Sequence, residues 1–253
     1  MHLHTTEALL LDVVDLHEYD RIVTFLTRER GKKRGVARGA RRKFSRFGGQ
    51  LQPLAKVVVT WFEKEDRELV RIRSVELERS AARLQQDLEG ILLGSYLADH
   101  MLEFAQENEE SDYFFRLLDT TLEALMEGVD RQLATRYYEA WMLRLAGIFP
   151  PPRECPQCGR DLAGGGVLPS HGEGVVCGSC AAPGPAALTL APETLDFLRR
   201  IGRESLRTLD QRPPGAAVLE VVEKLCARVR RRFLQRELRS YRVIRETLNS
   251  VES

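Results

Sequence analysis

Long apolar runs are missing. Nowhere in the 253 residues do about 18 consecutive apolar side chains occur, so no segment is expected to span a membrane. The opening residues, Met1 to Glu7, lack the basic patch and apolar core of a secretory signal, and the five cysteines are therefore read in a reducing, cytoplasmic setting. Net charge is scarce as well: 38 Lys and Arg stand against 37 Asp and Glu, for a balance of +1. Internal repeats and long low-complexity tracts are absent. With 43% hydrophobic and 30% charged residues, the composition excludes a disordered, collagen-like or disulfide-dense chain. Leu26 stands where a phosphate-binding loop ending in Gly31-Lys32 would need its first glycine, so nucleotide hydrolysis is not supported. His2, His4, His17 and His100 fall into no metal spacing.

What is present is strongly segregated charge. From Arg28 to Arg46 ten basic residues face one acid, Glu29. Within that run Lys32, Lys33, Arg34, Arg38, Arg41, Arg42, Lys43 and Arg46 alternate with glycines and with Phe44 and Phe47. Single-stranded nucleic acid asks for this mixture, because cations track phosphates and flat rings stack on unpaired bases. The alternative is a solvated loop whose phenylalanines cover a core, and either ring taken alone reads as core. Nine acids between Glu103 and Asp130 face only Arg116, a pattern that reads as a solvated helix face; no His, Ser or Lys constellation accompanies it to suggest catalysis. Eight arginines between Arg228 and Arg245 face only Glu237. At helical spacing Arg228, Arg231, Arg232, Arg239 and Arg242 would share one stripe, either a second DNA surface or a solvated face paired with acids.

The first part of the chain reads as strands: 8–14, 22–27, 35–38, 54–63 and 69–77, with Arg30-Gly31-Lys32 as a turn. Five short strands in so few residues suggest a closed barrel of the oligonucleotide-binding kind, which hides its edges. After Glu78 the apolar period changes to three and four, giving helices around 88–105, 114–125 and 131–146, the last stopped by Gly147 and Pro150-Pro151-Pro152. Helices resume near Pro192, and Pro213-Pro214-Gly215 divides them. The expected class is α+β: a barrel domain over 1–79, a helical domain over 80–152 and 188–253, and an insertion over 153–187.

That insertion carries the most specific local signal. Cys155-x-x-Cys158 and Cys177-x-x-Cys180 lie 18 residues apart, the spacing at which two tight turns converge on one tetrahedral Zn²⁺. Four thiolates leave no open coordination position, so the expected zinc is structural, one per chain. His171-Gly172-Glu173 before the second pair resembles the zinc deaminase signature, but three residues between Glu173 and Cys177 are too few for that fold, and Val176 stands where it has Pro. Cys226, in a helical pattern with Val222, Leu225 and Val229, reads as a buried core thiol.

The order of these parts resembles the RecO family of bacterial DNA repair proteins. The residues that carry the resemblance are Asp20 to Lys32, Val36 to Arg42, Ser45-Arg46-Phe47, Leu51-Gln52-Pro53, Arg136 to Glu139, Leu143 to Pro150, the two cysteine pairs, and Leu238 to Arg242. His17-Glu18-Tyr19-Asp20 departs from the family's usual Gly-Glu-x-Asp, and Gly172-Glu173-Gly174 from a frequent Gly-Gly, which puts local turn geometry in doubt. The resemblance implies a non-enzymatic, nucleoid-associated recombination mediator. Such a protein binds single- and double-stranded DNA, anneals complementary strands, and with RecR helps RecA displace single-strand-binding protein, SSB. It also implies that Lys32 to Arg46 carry DNA and that the helical domain receives the C-terminal tail of SSB. The rival readings are a zinc-ribbon scaffold for protein contacts and, more remotely, a nuclease.

Overall fold

The computed structural model describes residues 2–64, 68–149, 152–170, 174–181, 184 and 187–251, with only the backbone described over 248–251. His171, Glu173, Pro150 and Pro151 lie outside the described residues. The chain resolves into two compact units, 1–126 with 238–253, and 127–237.

In the first unit the strands are β1 (His2–Leu16), β2 (Asp20–Thr27), β3 (Lys32–Ala37), β4 (Lys56–Glu63) and β5 (Val70–Arg79). They close in the order β1-β2-β3-β5-β4, the five-stranded Greek-key barrel of the oligonucleotide-binding fold. The 15-residue β1 makes closure possible: His2 to Leu9 pairs with β4, while Ala8 to Leu16 pairs with β2, with an irregularity between Leu10 and Asp12 where the strand changes partners. The seam is short. Strand β3 meets β5 in parallel at Gly35↔Val70 and Val36↔Arg71 alone.

Alternation fills the barrel. Leu10, Val23, Phe25, Val57, Val59, Trp61, Ile72 and Val75 point inward, and Phe47, Leu51 and Ala55 from the long β3–β4 loop plug its end. Leu9 and Leu26, on the opposite faces of β1 and β2, are also fully buried, so those strands are covered on both sides. Helices α1 (Leu88–Phe104), α2 (Asp112–Glu127) and α7 (Arg239–Val251) complete this unit. Asp87 caps α1 through Gly90 N–H at 2.8 Å, and α7 docks on α1 through Tyr241 against Tyr96 and Ser240 N–H on Asp99.

Gly31 turns the β2–β3 hairpin at φ +64, and its missing side chain matters. A Cβ there would lie 2.3 Å from the Glu109 carbonyl oxygen, so the acidic α1–α2 loop can lie on the hairpin only because position 31 is bare. Lys32 N–H donates to the Gln106 carbonyl and Ser111 Oγ to that of Thr27. Part of the acidic stretch read as solvated is thus a latch on the barrel.

The second unit holds α3 (Arg131–Leu145), the cysteine segment with the small sheet β6 (Gly166–Leu168) and β7 (Leu188–Leu190), α4 (Pro192–Ile201), α5 (Leu206–Gln211) and α6 (Ala216–Leu234). Helices α3 and α6 enclose a buried ion network: Arg136 bonds Glu139 at 2.8 Å and Glu223 at 2.9 Å, and Arg230 bonds Glu237 at 2.7 Å. Cys226 is buried here, as its pattern predicts, and burial pushes its thiol pKa up.

Two differences from the sequence reading follow. The helices are divided between the units rather than forming one block, with α1, α2 and α7 on the barrel's side. The single helix expected across 228–242 is broken. Gln235 adopts φ +57, its side chain donates to the Arg232 carbonyl, and α6 ends at Leu234 before α7 begins at Arg239. Arg228, Arg231 and Arg232 therefore share no helix stripe with Arg239 and Arg242, and Arg230 is interior, 1% exposed.

Candidate nucleic-acid interface and metal centre

The basic run from Arg28 to Arg46 separates into two halves with different fates. In the first half Arg28, Lys32 and Lys33 are consumed internally, while Arg30 at the hairpin turn is exposed. Lys33 is buried, 6% exposed, with its ammonium 2.5 Å from Glu63 and bonded to the Asn108 side chain. Lys32 is half-buried and donates to the Leu102 carbonyl, and burial draws its pKa down. Arg28 pairs with Asp112 at 3.4 Å and Glu7 at 3.7 Å. Lys32 and Lys33 are thus corrected from surface cations to latch residues, because their strand edge lies under α1 and the acidic loop.

The second half faces outward. Arg34, Arg38, Arg41, Arg42, Lys43 and Arg46 are all exposed. Phe44 is 91% exposed, while Phe47, three residues on, is 0% exposed in the barrel core. The two rings, indistinguishable by type, have opposite roles: one plugs the barrel, the other stands in water beside Lys43, whose ammonium is 5.7 Å from its centroid. Arg41 lies 3.4 Å from Asp15 and donates to the His17 carbonyl. Tyr19, which sequence reasoning missed, is 45% exposed and carries the Arg42 guanidinium 5.4 Å from its ring. Its signal was weak, a lone aromatic in a three-residue turn. The loop and turn together present two exposed rings among arginines and lysine at one end of the barrel.

In the second unit the insertion folds as two knuckles. Gly159 N–H returns to the Cys155 carbonyl at 2.8 Å, and Ala181 N–H to that of Cys177 at 3.0 Å, while Val167 and Val176 exchange backbone bonds that hold the knuckles together. The Sγ atoms of Cys155, Cys158, Cys177 and Cys180 all lie within 4.8 Å of one another, and Cys158 and Cys177 are 3.7 Å apart. A tetrahedron of about 2.3 Å metal–sulfur bonds has sulfur–sulfur edges of about 3.8 Å, so one ion fits the cluster. The thiols diverge in pKa: a backbone hydrogen bond from Cys177 leads the effects that bring Cys155 down to about 6, whereas the Cys158 and Cys177 side chains push Cys180 up to about 12, so it is the sulfur geometry that argues for an ion.

The same unit contains a cationic cleft of about 460 Å³, lined by Trp141, Arg144, Arg153, Arg199 and Arg203 with Gly147 and Gly202. Trp141 Nε1 donates to the Ile201 carbonyl at 3.0 Å, fixing the ring as a wall, and the Arg144 guanidinium lies 5.1 Å over it. Arg144 also donates to the Leu198 carbonyl at 2.9 Å. Burial first and then the Arg153 charge lower its pKa. Cations crowded this way favour an anion between them. The arginines come from α3, the cysteine segment, and the end of α4 with the turn that follows it, so no single block in the sequence announced them.

A closed barrel of the oligonucleotide-binding fold with an outward basic and aromatic loop, joined to a helical unit with a four-thiol cluster, places the chain among α+β proteins built on that fold. The family model described as Recombination protein O N terminal matches residues 1–81, and that described as Recombination protein O C terminal matches 85–242. The chain is 37% identical over 195 residues to the DNA repair protein RecO of Anaeromyxobacter sp. (strain K), covering 77% of each. It is 34% identical over 248 residues to that of Anaeromyxobacter sp. (strain Fw109-5), covering 96% of this chain and 94% of that one. It is 33% identical over 200 residues to that of Geobacter sulfurreducens. The chain belongs to the RecO family of DNA repair proteins. Among the described residues no helix is long and apolar enough to cross a membrane.

Proposed function

We propose that this protein is a non-enzymatic recombination mediator that binds single- and double-stranded DNA, anneals complementary strands, and acts with RecR to place RecA on SSB-coated DNA. The observation that carries the reading is a cluster at one end of the barrel: the exposed rings of Phe44 and Tyr19 carry Lys43 and Arg42 beside them, with Arg38, Arg41 and Arg46 exposed around them. Cations neutralise phosphates and such a ring stacks on a base without reading its edge, so bases stay free to pair. Two strands repel each other as polyanions, and a protein that neutralises both lowers the barrier to their meeting.

The arginine cleft beside Trp141 is the proposed seat of the acidic C-terminal tail of SSB. Its arginines suit carboxylates, and the indole wall suits an apolar side chain next to them. Cys155, Cys158, Cys177 and Cys180 are proposed to hold one structural Zn²⁺, which supplies a cross-link between the knuckles and no chemistry. The broken arginine stripe is not proposed as one surface: on α6 Arg231 is exposed, whereas Arg232 already donates to the Ser170 carbonyl at 2.8 Å.

The test is annealing of two complementary oligonucleotides coated with SSB, followed by fluorescence across a salt series. Accelerated annealing that weakens with salt is expected. Neutralising about four to six phosphates gives log affinity for single strands a slope of about −3 to −4 against log salt. No acceleration by the folded protein, with or without RecR, overturns the mediator reading.

A further inference from the structure

Ion pairing distinguishes cations that hold this fold together from cations that do not. In the barrel unit Arg21, Lys33, Lys56 and Arg79 each stand beside a carboxylate. Arg34, Arg38, Arg71 and Arg73 form no ion pair within 4.0 Å among the described residues, and all four are exposed. Arg71 and Arg73 belong to neither basic block of the sequence.

Topology brings these four together. Strands β3 and β5 run parallel at the seam, with Val36 paired to Arg71. Arg34 lies two residues before Val36 and Arg38 two after it, while Arg73 lies two after Arg71 on the strand running the same way. Alternation puts all of them on the outer wall, since Gly35, Ala37, Val70 and Ile72 between them are buried. Two-residue steps along a strand advance about 6.6 Å, so the seam offers cationic rungs at intervals close to one extended nucleotide. Phe62, opposite Arg71 on β4, is half-buried, with the Arg73 guanidinium 5.9 Å from its centroid.

Like charges on adjacent strands are unfavourable. Nothing described in the fold compensates them here, whereas Arg28 and Lys33 at the hairpin are compensated. The wall beside Leu9 and Leu26 is buried, but this one is bare. Farther along β5 the exposed residues turn acidic at Glu76 and Glu78, which bounds the basic strip.

We infer that a single strand of DNA bound at the Phe44 loop continues along the β3–β5 seam, with its phosphates on Arg34, Arg38, Arg71 and Arg73. This rests on the DNA-binding reading above and adds a path to it. The polyanion supplies a counter-charge that the strip lacks among the described residues, and Phe62 adds a second flat surface beneath the strand.

The experiment is fluorescence polarisation of labelled oligo-dT with the full chain across a salt series. It compares the natural sequence with Arg71→Ala/Arg73→Ala, Arg71→Lys/Arg73→Lys and Arg41→Glu/Arg42→Glu. The double alanine variant is expected to bind about tenfold more weakly at moderate salt, with the magnitude of the salt slope reduced by about 1.4, or 0.7 for each lost phosphate contact. The double lysine variant keeps the slope, which separates lost charge from lost structure. If the alanine variant keeps both affinity and slope while the Arg41/Arg42 variant loses binding, the seam path is wrong and the loop site stands. If the natural protein does not bind oligo-dT, the DNA-binding reading fails and the path fails with it.

Discussion

Replacing Phe44 with alanine should weaken binding of single-stranded DNA while leaving the fold intact. At 91% exposure the ring contributes almost nothing to the core, so the unfolding free energy from urea melts should change by no more than about 0.5 kcal/mol. One base–aromatic stack is worth about 1–3 kcal/mol, so affinity for oligo-dT should fall by about 5- to 150-fold. Phosphate contacts are untouched, and the salt slope should therefore stay as it is. Phe47→Ala is the internal control. That ring is 0% exposed among Leu51, Ala55 and the barrel strands, and its loss should cost about 3–5 kcal/mol of stability. Titration of labelled oligo-dT by polarisation, with urea melts of both variants, separates the two effects. Unchanged affinity in Phe44→Ala, or a loss of stability in it comparable to Phe47→Ala, would refute the assignment of the two rings.

Cys177→Ser should lower bound zinc from one per chain, measured by metal analysis, and expose the insertion to proteolysis while the barrel keeps its own melting transition. Gly202→Ala should weaken binding of an acidic SSB-tail peptide, read by polarisation. A Cβ at 202 would lie 2.6 Å from an Arg144 terminal nitrogen and push the guanidinium off the Trp141 wall; unchanged affinity places the tail elsewhere. Lys33→Met should destabilise the barrel unit at neutral pH by about 3 kcal/mol or less, because it leaves the Glu63 carboxylate, itself only partly exposed, without its cation. Burial alone would raise Glu63, but the Lys33 hydrogen bond and charge hold it below its ordinary 4.5. The pair's stabilisation is therefore present above 4.5 and lost as pH falls through the lower folded value, so urea melts of variant and natural protein should converge at strongly acid pH.

Elements set by local chemistry were legible in the sequence. Apolar, β-branched runs marked β2 and β4 to within two residues, Gly31 marked the hairpin, and the cysteine pairs marked the knuckles. Strand β1 was read too short because His2 to Glu7 is polar, and it is a strand only through its pairing with β4. The break at Gln235 carried no glycine or proline, and a non-glycine left-handed residue looks like any other helical residue in a sequence. Site chemistry was legible where ligands are close in sequence, as with the thiols. It was hidden where the deciding contact is long-range. Nothing near Lys33 signals Asn108 or Glu63, and the cleft arginines 144, 153, 199 and 203 meet only after α3 packs on α4.

A net charge of +1 conceals how this chain uses its basic run. The acidic α1–α2 loop could have paired with any of the cations between Arg28 and Arg46. It is held by backbone bonds to the bare Gly31 turn, so it reaches the hairpin half, and Asp112 and Asn108 engage Arg28 and Lys33. Attraction of unit charges falls off within about 10 Å at moderate salt, too short for these acids to neutralise the far end of strands about 20–26 Å long. Among the described residues internal pairing thus takes up Arg28 and Lys33 at the hairpin, while Arg30 there, and Arg34, Arg38, Arg71 and Arg73 farther along, stay exposed with no ion pair. The proposed binding surface is defined as much by where the acids sit as by where the arginines sit. A chain with the same composition but with its acids opposite residues 38–46 should keep the barrel and lose salt-dependent binding of oligo-dT.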